Sequence, residues 1–133
     1  MKPDVIETKN APAAVGAYSQ AVHAGGFIFV SGQIPLDPAT GNLIEGDIGA
    51  QTERALQNMA AILYAAGCDL DQVVKVELFL ADINDFAAAN ETYGRFFENA
   101  QPARQAVGVA GLPKGAKIEV SCIALAEAEP ENA

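Results

Sequence analysis

The sequence predicts an α+β domain in which two helices cover one face of a mixed β-sheet. Three observations carry this. Apolar residues recur at helical spacing over two stretches, 48–66 and 85–98, and at strand-like spacing over five others. These elements alternate along the chain in the order β-β-α-β-α-β-β. With 133 residues and no repeat, low-complexity tract or linker, the chain reads as one domain spanning 1–133, large enough for a real core.

Taken in order, residues 18–33, "YSQAVHAGGFIFVSGQ", form a hairpin around Gly25-Gly26, because glycine permits the positive φ that tight hairpin turns demand. "IPLDPATGN" follows as a loop punctuated by Pro35, Pro38 and Gly41. Asp47 is placed to cap a helix from Ile48 to Ala66 that Gly67 stops. Its stripe is Ile48, Ala55, Leu56, Met59, Leu63 and Ala66, with Arg54, Gln57 and Asn58 facing away. "VVKVELFLA", 73–81, puts Val74, Val76, Leu78 and Leu80 on one side of a strand and Val73 and Phe79 on the other. Asn84 is expected to cap the second helix, whose stripe is Phe86, Tyr93 and Phe97. Two strands, 104–109 and 117–126, joined by "AGLPKGA", finish the chain.

Helices on one face leave the other sheet face apolar, with Phe27, Phe29, Val73 and Phe79 as its candidates. Burial against further copies of the chain is the natural remedy. Asn90 lies within the apolar stripe of the second helix, where an amide costs free energy unless it finds partners. An ordinary satisfied amide and an amide at a subunit interface both fit that pattern.

Composition narrows the function classes. Seventeen acids outnumber eight scattered Lys and Arg residues, giving a formal net charge of -9, which disfavours nucleic-acid binding through phosphate contacts. No apolar run approaches the roughly 20 residues that span a bilayer. The N-terminal segment has no apolar core of a secretory signal, so a soluble, cytoplasmic chain without membrane association is expected. Cys68 and Cys122 match no metal or redox spacing and read as buried reduced thiols. His23 is the only histidine, so no His cage for a metal can form; it reads as a partly exposed strand residue.

Two charges inside strand sequence remain. Arg104 stands beside Ala106 and Val107, and Glu119 stands between Ile118 and Val120. Arginine grips a carboxylate with a planar fork of donors and keeps its charge in a partly dry cleft. A carboxylate among apolar neighbours gains a raised pKa, which suits proton exchange near neutral pH. A structural ion pair, or two solvated strand-edge charges, would leave the same pattern, and strand register is needed to choose.

The stretches "NAPAAVGAYSQAV", "FVSGQIPLDPATG", "NMAAILYAAG", "VVKVELFLADINDFAAANETYGRFF", "PARQAV" and "LPKGAKIEV" cover nearly the whole chain in order. Together they resemble the RidA (YjgF/YER057c/UK114) family of reactive-intermediate imine deaminases. The resemblance implies a chorismate-mutase-like fold, a homotrimer with clefts at the subunit interfaces, and no cofactor or metal. It implies hydrolysis of 2-imino acids, such as 2-iminopropanoate and 2-iminobutanoate, to the 2-keto acid and ammonia. Those imines come from enamines released by pyridoxal-phosphate-dependent Ser/Thr dehydratases, and their removal protects pyridoxal-phosphate enzymes.

By position, Arg104 resembles the arginine that binds the substrate carboxylate. Glu119 resembles the glutamate that positions and activates water. Tyr18, Ser31 and Gly32 match cleft-lining residues, backbone N–H groups near Gly32 and Ala106 would assist, and Asn90 matches an asparagine that favours the interface reading. Ala106 stands where many relatives have a cysteine, and "FFENAQPAR" is shorter than in many relatives. Two rival functions accompany this reading: an endoribonuclease that inhibits translation, and a non-catalytic ligand-binding or chaperone-like trimer.

Overall fold

The computed structural model describes residues 2–126 and contains a six-stranded mixed sheet with two helices packed on one face. The strands are β1 (Asp4–Ile6), β2 (Ala21–Ala24), β3 (Phe27–Gln33), β4 (Val73–Leu80), β5 (Ala103–Gly108) and β6 (Ile118–Leu125). The helices are α1 (Ile48–Ala65) and α2 (Phe86–Phe96). The sheet order is β1-β2-β3-β6-β4-β5, antiparallel throughout except for the parallel pair β4 and β5, which α2 connects.

Local sequence explains most of these elements. Gly25 and Gly26 have φ of 60° and 82°, the two positive values that a two-residue hairpin turn between β2 and β3 requires. Asp47 caps α1, its side chain accepting from the Ala50 amide at 2.9 Å, and Gly67, at φ 81°, follows the helix end. Leu56, Met59, Ile62 and Leu63 are fully buried between α1 and the sheet. Each such side chain contributes about 1.5–3 kcal/mol by leaving water.

Three expectations are corrected. Asn58 does not face away: it is fully buried, because it stands three residues after Ala55 and four before Ile62, on the buried side of α1. Its Nδ2 donates to the carbonyls of Leu36 at 2.9 Å and Ile34 at 3.3 Å, and its Oδ1 accepts from Arg54. Asn84 does not cap α2; Asp82 caps the short 3₁₀ turn before it, accepting from the Asn84 amide at 2.9 Å. Val73 belongs to the helix-side core rather than the open face, because a register shift between Val73 and Lys75 inserts Val74 as an extra residue. The last two strands of the chain are not neighbours in the sheet: β4 lies between β5 and β6.

The open face carries Phe27 and Phe29, 38% and 41% exposed, beside Val22, Ile123 and Leu125 in cross-strand register. Phe79 lies on that face as well, opposite Glu119 on β6 and Val107 on β5. Among the described residues no helix is long and apolar enough to cross a membrane.

Candidate active site

The sheet distributes the candidate residues into two groups. Glu119 leaves β6 on the open face and reaches toward β3 at Gly32. The strand has no room for a side chain there: a Cβ on Gly32 would sit 2.8 Å from the Glu119 Cδ. Glycine at this position therefore lets the carboxylate lie against the backbone of β3. Tyr18 completes the near wall of a cleft of about 410 Å³ that Pro12, Ile34, Pro113 and Lys114 also line. Burial among these groups raises the Glu119 pKa above the usual carboxylate range. Ser31 stands one residue from Gly32 but does not line this cleft; its Oγ donates to the Ser19 carbonyl at 2.6 Å.

Buried amides frame this cleft, and the sequence reading missed them. Gln20 ties the segment before β2 to residues 8–12. Its Oε1 accepts from the Thr8 amide at 2.7 Å, and its Nε2 donates to the Pro12 carbonyl at 2.8 Å. Asn58 holds the carbonyls of Ile34 and Leu36, which form the facing wall. Lys114 adopts a left-handed conformation, φ 58° and ψ 16°, and its Nζ donates to the Gly41 carbonyl at 3.2 Å. A non-glycine residue held there stores on the order of 1 kcal/mol of strain. For Asn58 the signal was present, since it falls at a core-facing position of α1.

The second group is built on β5 and α2. Arg104 leaves β5 on the helix side, paired with the buried Val76, and its guanidinium carbon stands 4.7 Å from the Tyr93 ring centroid and 5.4 Å from that of Phe86. Its Nη1 donates to Asn90 Oδ1 at 2.6 Å. Ala106 lies two residues on, on the same side, opposite Leu78. Together Arg104, Asn90, Tyr93, Gly94, Phe97 and Pro102 line a depression of about 430 Å³. Tyr93 is itself buried, and among the described residues its hydroxyl has no hydrogen-bond partner. Burial raises the phenol pKa, with Arg104 pulling the other way and Cys122 adding to the rise.

Register now decides what sequence pattern left open. Arg104 pairs with Val76, which pairs with Cys122; Glu119 pairs with Phe79, which pairs with Val107. The first row faces the helices and the second faces away. Within one chain Arg104 and Glu119 therefore project from opposite faces of the sheet and form no ion pair. The structure brings Tyr18, Gly32 and Glu119 together, and separately brings Asn90 and Arg104 together.

Residues 8–126 match the endoribonuclease L-PSP family, to which the RidA proteins belong. The chain belongs to this RidA/L-PSP family. It is 52% identical over 121 residues to a rat protein named 2-iminobutanoate/2-iminopropanoate deaminase, covering 91% of this chain and 88% of that one. It is also 52% identical over 124 residues to a RutC family protein of Pyrococcus horikoshii, covering 93% and 98%. Among solved structures it resembles E. coli TdcF with bound serine, with a TM-score of 0.89 and 42% identity over 93% of this chain and 99% of that one. The RidA/L-PSP fold accounts for the mixed sheet with both helices on one side. The names within the family diverge between deaminase, RutC and endoribonuclease.

Proposed function

We propose that this protein is a cytoplasmic, cofactor-free deaminase of 2-imino acids, working as a homotrimer whose sites form where subunits meet. The observation that carries the reading is the division of the two groups across the sheet. A carboxylate-gripping arginine stands on one face and a carboxylate of raised pKa on the other. β5 is an edge strand, so Arg104 stands where a neighbouring copy can meet it. The open face that carries Glu119 also carries the exposed Phe27 and Phe29, which a second copy would cover. The relatives named as deaminases of 2-iminobutanoate and 2-iminopropanoate support the same chemistry.

In this mechanism Arg104 of one copy holds the substrate carboxylate by charge-assisted hydrogen bonds, fixing the imine carbon beside Glu119 of another. Glu119 accepts a proton from a water as the water oxygen bonds to that carbon and the C=N π electrons move to nitrogen. Glu119 then returns that proton to the nitrogen, giving the carbinolamine; the hydroxyl proton next passes through Glu119 to the amine nitrogen, the C–N bond breaks, and ammonia leaves as the carbonyl forms. Tyr18 and Gly32 shape the cleft around the reacting carbon, with Ser31 fixing the turn behind them and the backbone near Ala106 beside the carboxylate. An already activated C=N bond needs no metal for this step.

The test adds the protein to a Ser/Thr dehydratase reaction and follows release of 2-oxobutanoate and ammonia. Wild type accelerates release, whereas Arg104→Ala and Glu119→Gln do not. No acceleration by wild type, or equal acceleration by Arg104→Ala, overturns the reading. The family description favours one rival, RNA cleavage, against which stand the net charge of -9 and the single histidine. RNA cleaved by wild type and lost in Glu119→Ala, without imine turnover, would establish that rival. Keto-acid binding without turnover would establish a binding protein instead.

A further inference from the structure

We infer that Asn90 is a positioning residue for Arg104, holding the guanidinium against the Tyr93 and Phe86 rings so that its remaining donors form a ready-made carboxylate fork. The inference rests on the proposed role of Arg104 and assigns Asn90 to the same site rather than to a contact between like amides.

The geometry is local to one chain. Phe86, Asn90 and Tyr93 stand at i, i+4 and i+7 on α2, hence on one stripe of the helix, and all three meet the same guanidinium. The two rings hold the group by cation–π contact. Such contact alone leaves the direction of its N–H groups free. The bond from Nη1 to Asn90 Oδ1, at 2.6 Å, removes that freedom by fixing one corner. Among the described residues the other guanidinium donors make no hydrogen bond, so Nε and Nη2 stay available to a ligand.

A neutral amide suits this task better than a carboxylate. Aspartate at the same place would hold the guanidinium as well but would offset its charge, weakening the pull on an anionic ligand. Asparagine accepts one hydrogen bond and leaves the full positive charge for the substrate. A free arginine side chain carries rotamer entropy that binding would otherwise remove. Holding it beforehand shifts that cost from binding to folding.

Binding of 2-oxobutanoate, measured by isothermal titration calorimetry, separates this role from the alternatives. Asn90→Ala should weaken binding about tenfold, the loss that corresponds to one hydrogen bond to a charged group. The same substitution in an Arg104→Lys background should cost less than about twofold, because lysine has no planar fork to orient. Asn90→Asp should keep the melting temperature yet bind more weakly than wild type, with the deficit shrinking as salt is added. Equal binding by Asn90→Ala and wild type overturns the inference while leaving the proposed function intact. So does an equal loss in both backgrounds. A loss that disappears at high protein concentration makes Asn90 a subunit contact and also overturns it. Wild type that binds 2-oxobutanoate but turns over no imine overturns the proposed function alone, and wild type that binds none overturns both.

Discussion

Replacing Gly32 by alanine tests whether the close approach of Glu119 to β3 matters for chemistry. The new Cβ would lie 2.8 Å from Cδ and 3.2 Å from Cγ of Glu119, whereas ordinary contact begins at 3.4 Å. The carboxyl end must therefore retreat by about 0.6 Å or more, and misplacements on the order of 1 Å cost about 100-fold in rate. The side chain lies in an open cleft and can swing aside, so the fold loses little. Gly32→Ala should thus lower kcat for imine hydrolysis by about 10- to 100-fold while its melting temperature stays near that of wild type. The assay is the dehydratase-coupled release of 2-oxobutanoate, with circular dichroism melting alongside. A crystal structure of the variant should show the carboxyl group displaced. Full activity with Glu119 displaced would refute the assignment of Glu119 as the water-activating base, whatever else the cleft does.

Three other outcomes follow from the geometry. Burial raises the Glu119 pKa, so the protonated form is favoured by folding. The associated stability is full below the ordinary carboxylate pKa and is lost as pH rises through the raised folded value. Glu119→Gln should therefore melt above wild type at neutral pH, with the difference closing in acid; a difference independent of pH contradicts this. Tyr93→Phe keeps the ring under Arg104 but removes a buried hydroxyl that has no partner among the described residues, so denaturant titration should show a gain of about 1 kcal/mol with unchanged keto-acid affinity. Asn58→Ala removes the side-chain donor to the Leu36 carbonyl and one of the two donors to the Ile34 carbonyl, and should cost about 1–3 kcal/mol. It should also loosen the cleft wall, seen as faster amide exchange in residues 34–44; unchanged exchange refutes the link.

Local chemistry made much of the fold legible. Asp47 and Gly67 bracket α1 because capping and positive φ depend on the residues at the helix ends alone. Gly25-Gly26 fixes the hairpin for the same reason. The insertion of β4 between β5 and β6 was not legible, because "AGLPKGA" resembles a hairpin connection and pairing partners are chosen by tertiary packing. The same gap hid the placement of the site. Arg104 and Glu119 announced themselves by residue type, but alternation gives a face only once the register is known. The register came from β4, through Val76 and Phe79. Asn58 was misread because its polarity suggested solvent, whereas the carbonyls that satisfy it lie more than twenty residues earlier in the chain.

The split across the sheet also separates the two groups along the chain. The bond from Arg104 to Asn90 spans 14 residues, all within the β4–α2–β5 unit. The bond from Lys114 to Gly41 spans 73, and Glu119 meets Gly32 from an equally remote segment. Closing longer loops costs more chain entropy before any contact rewards it. The arginine side is thus poised to assemble early, from one contiguous stretch of nascent chain. The carboxylate side waits until β6, the last strand of the sheet, inserts between β3 and β4. A chain truncated after β5 would hold its guanidinium and have no base, so the order of folding keeps the two halves of the chemistry apart until the sheet is complete.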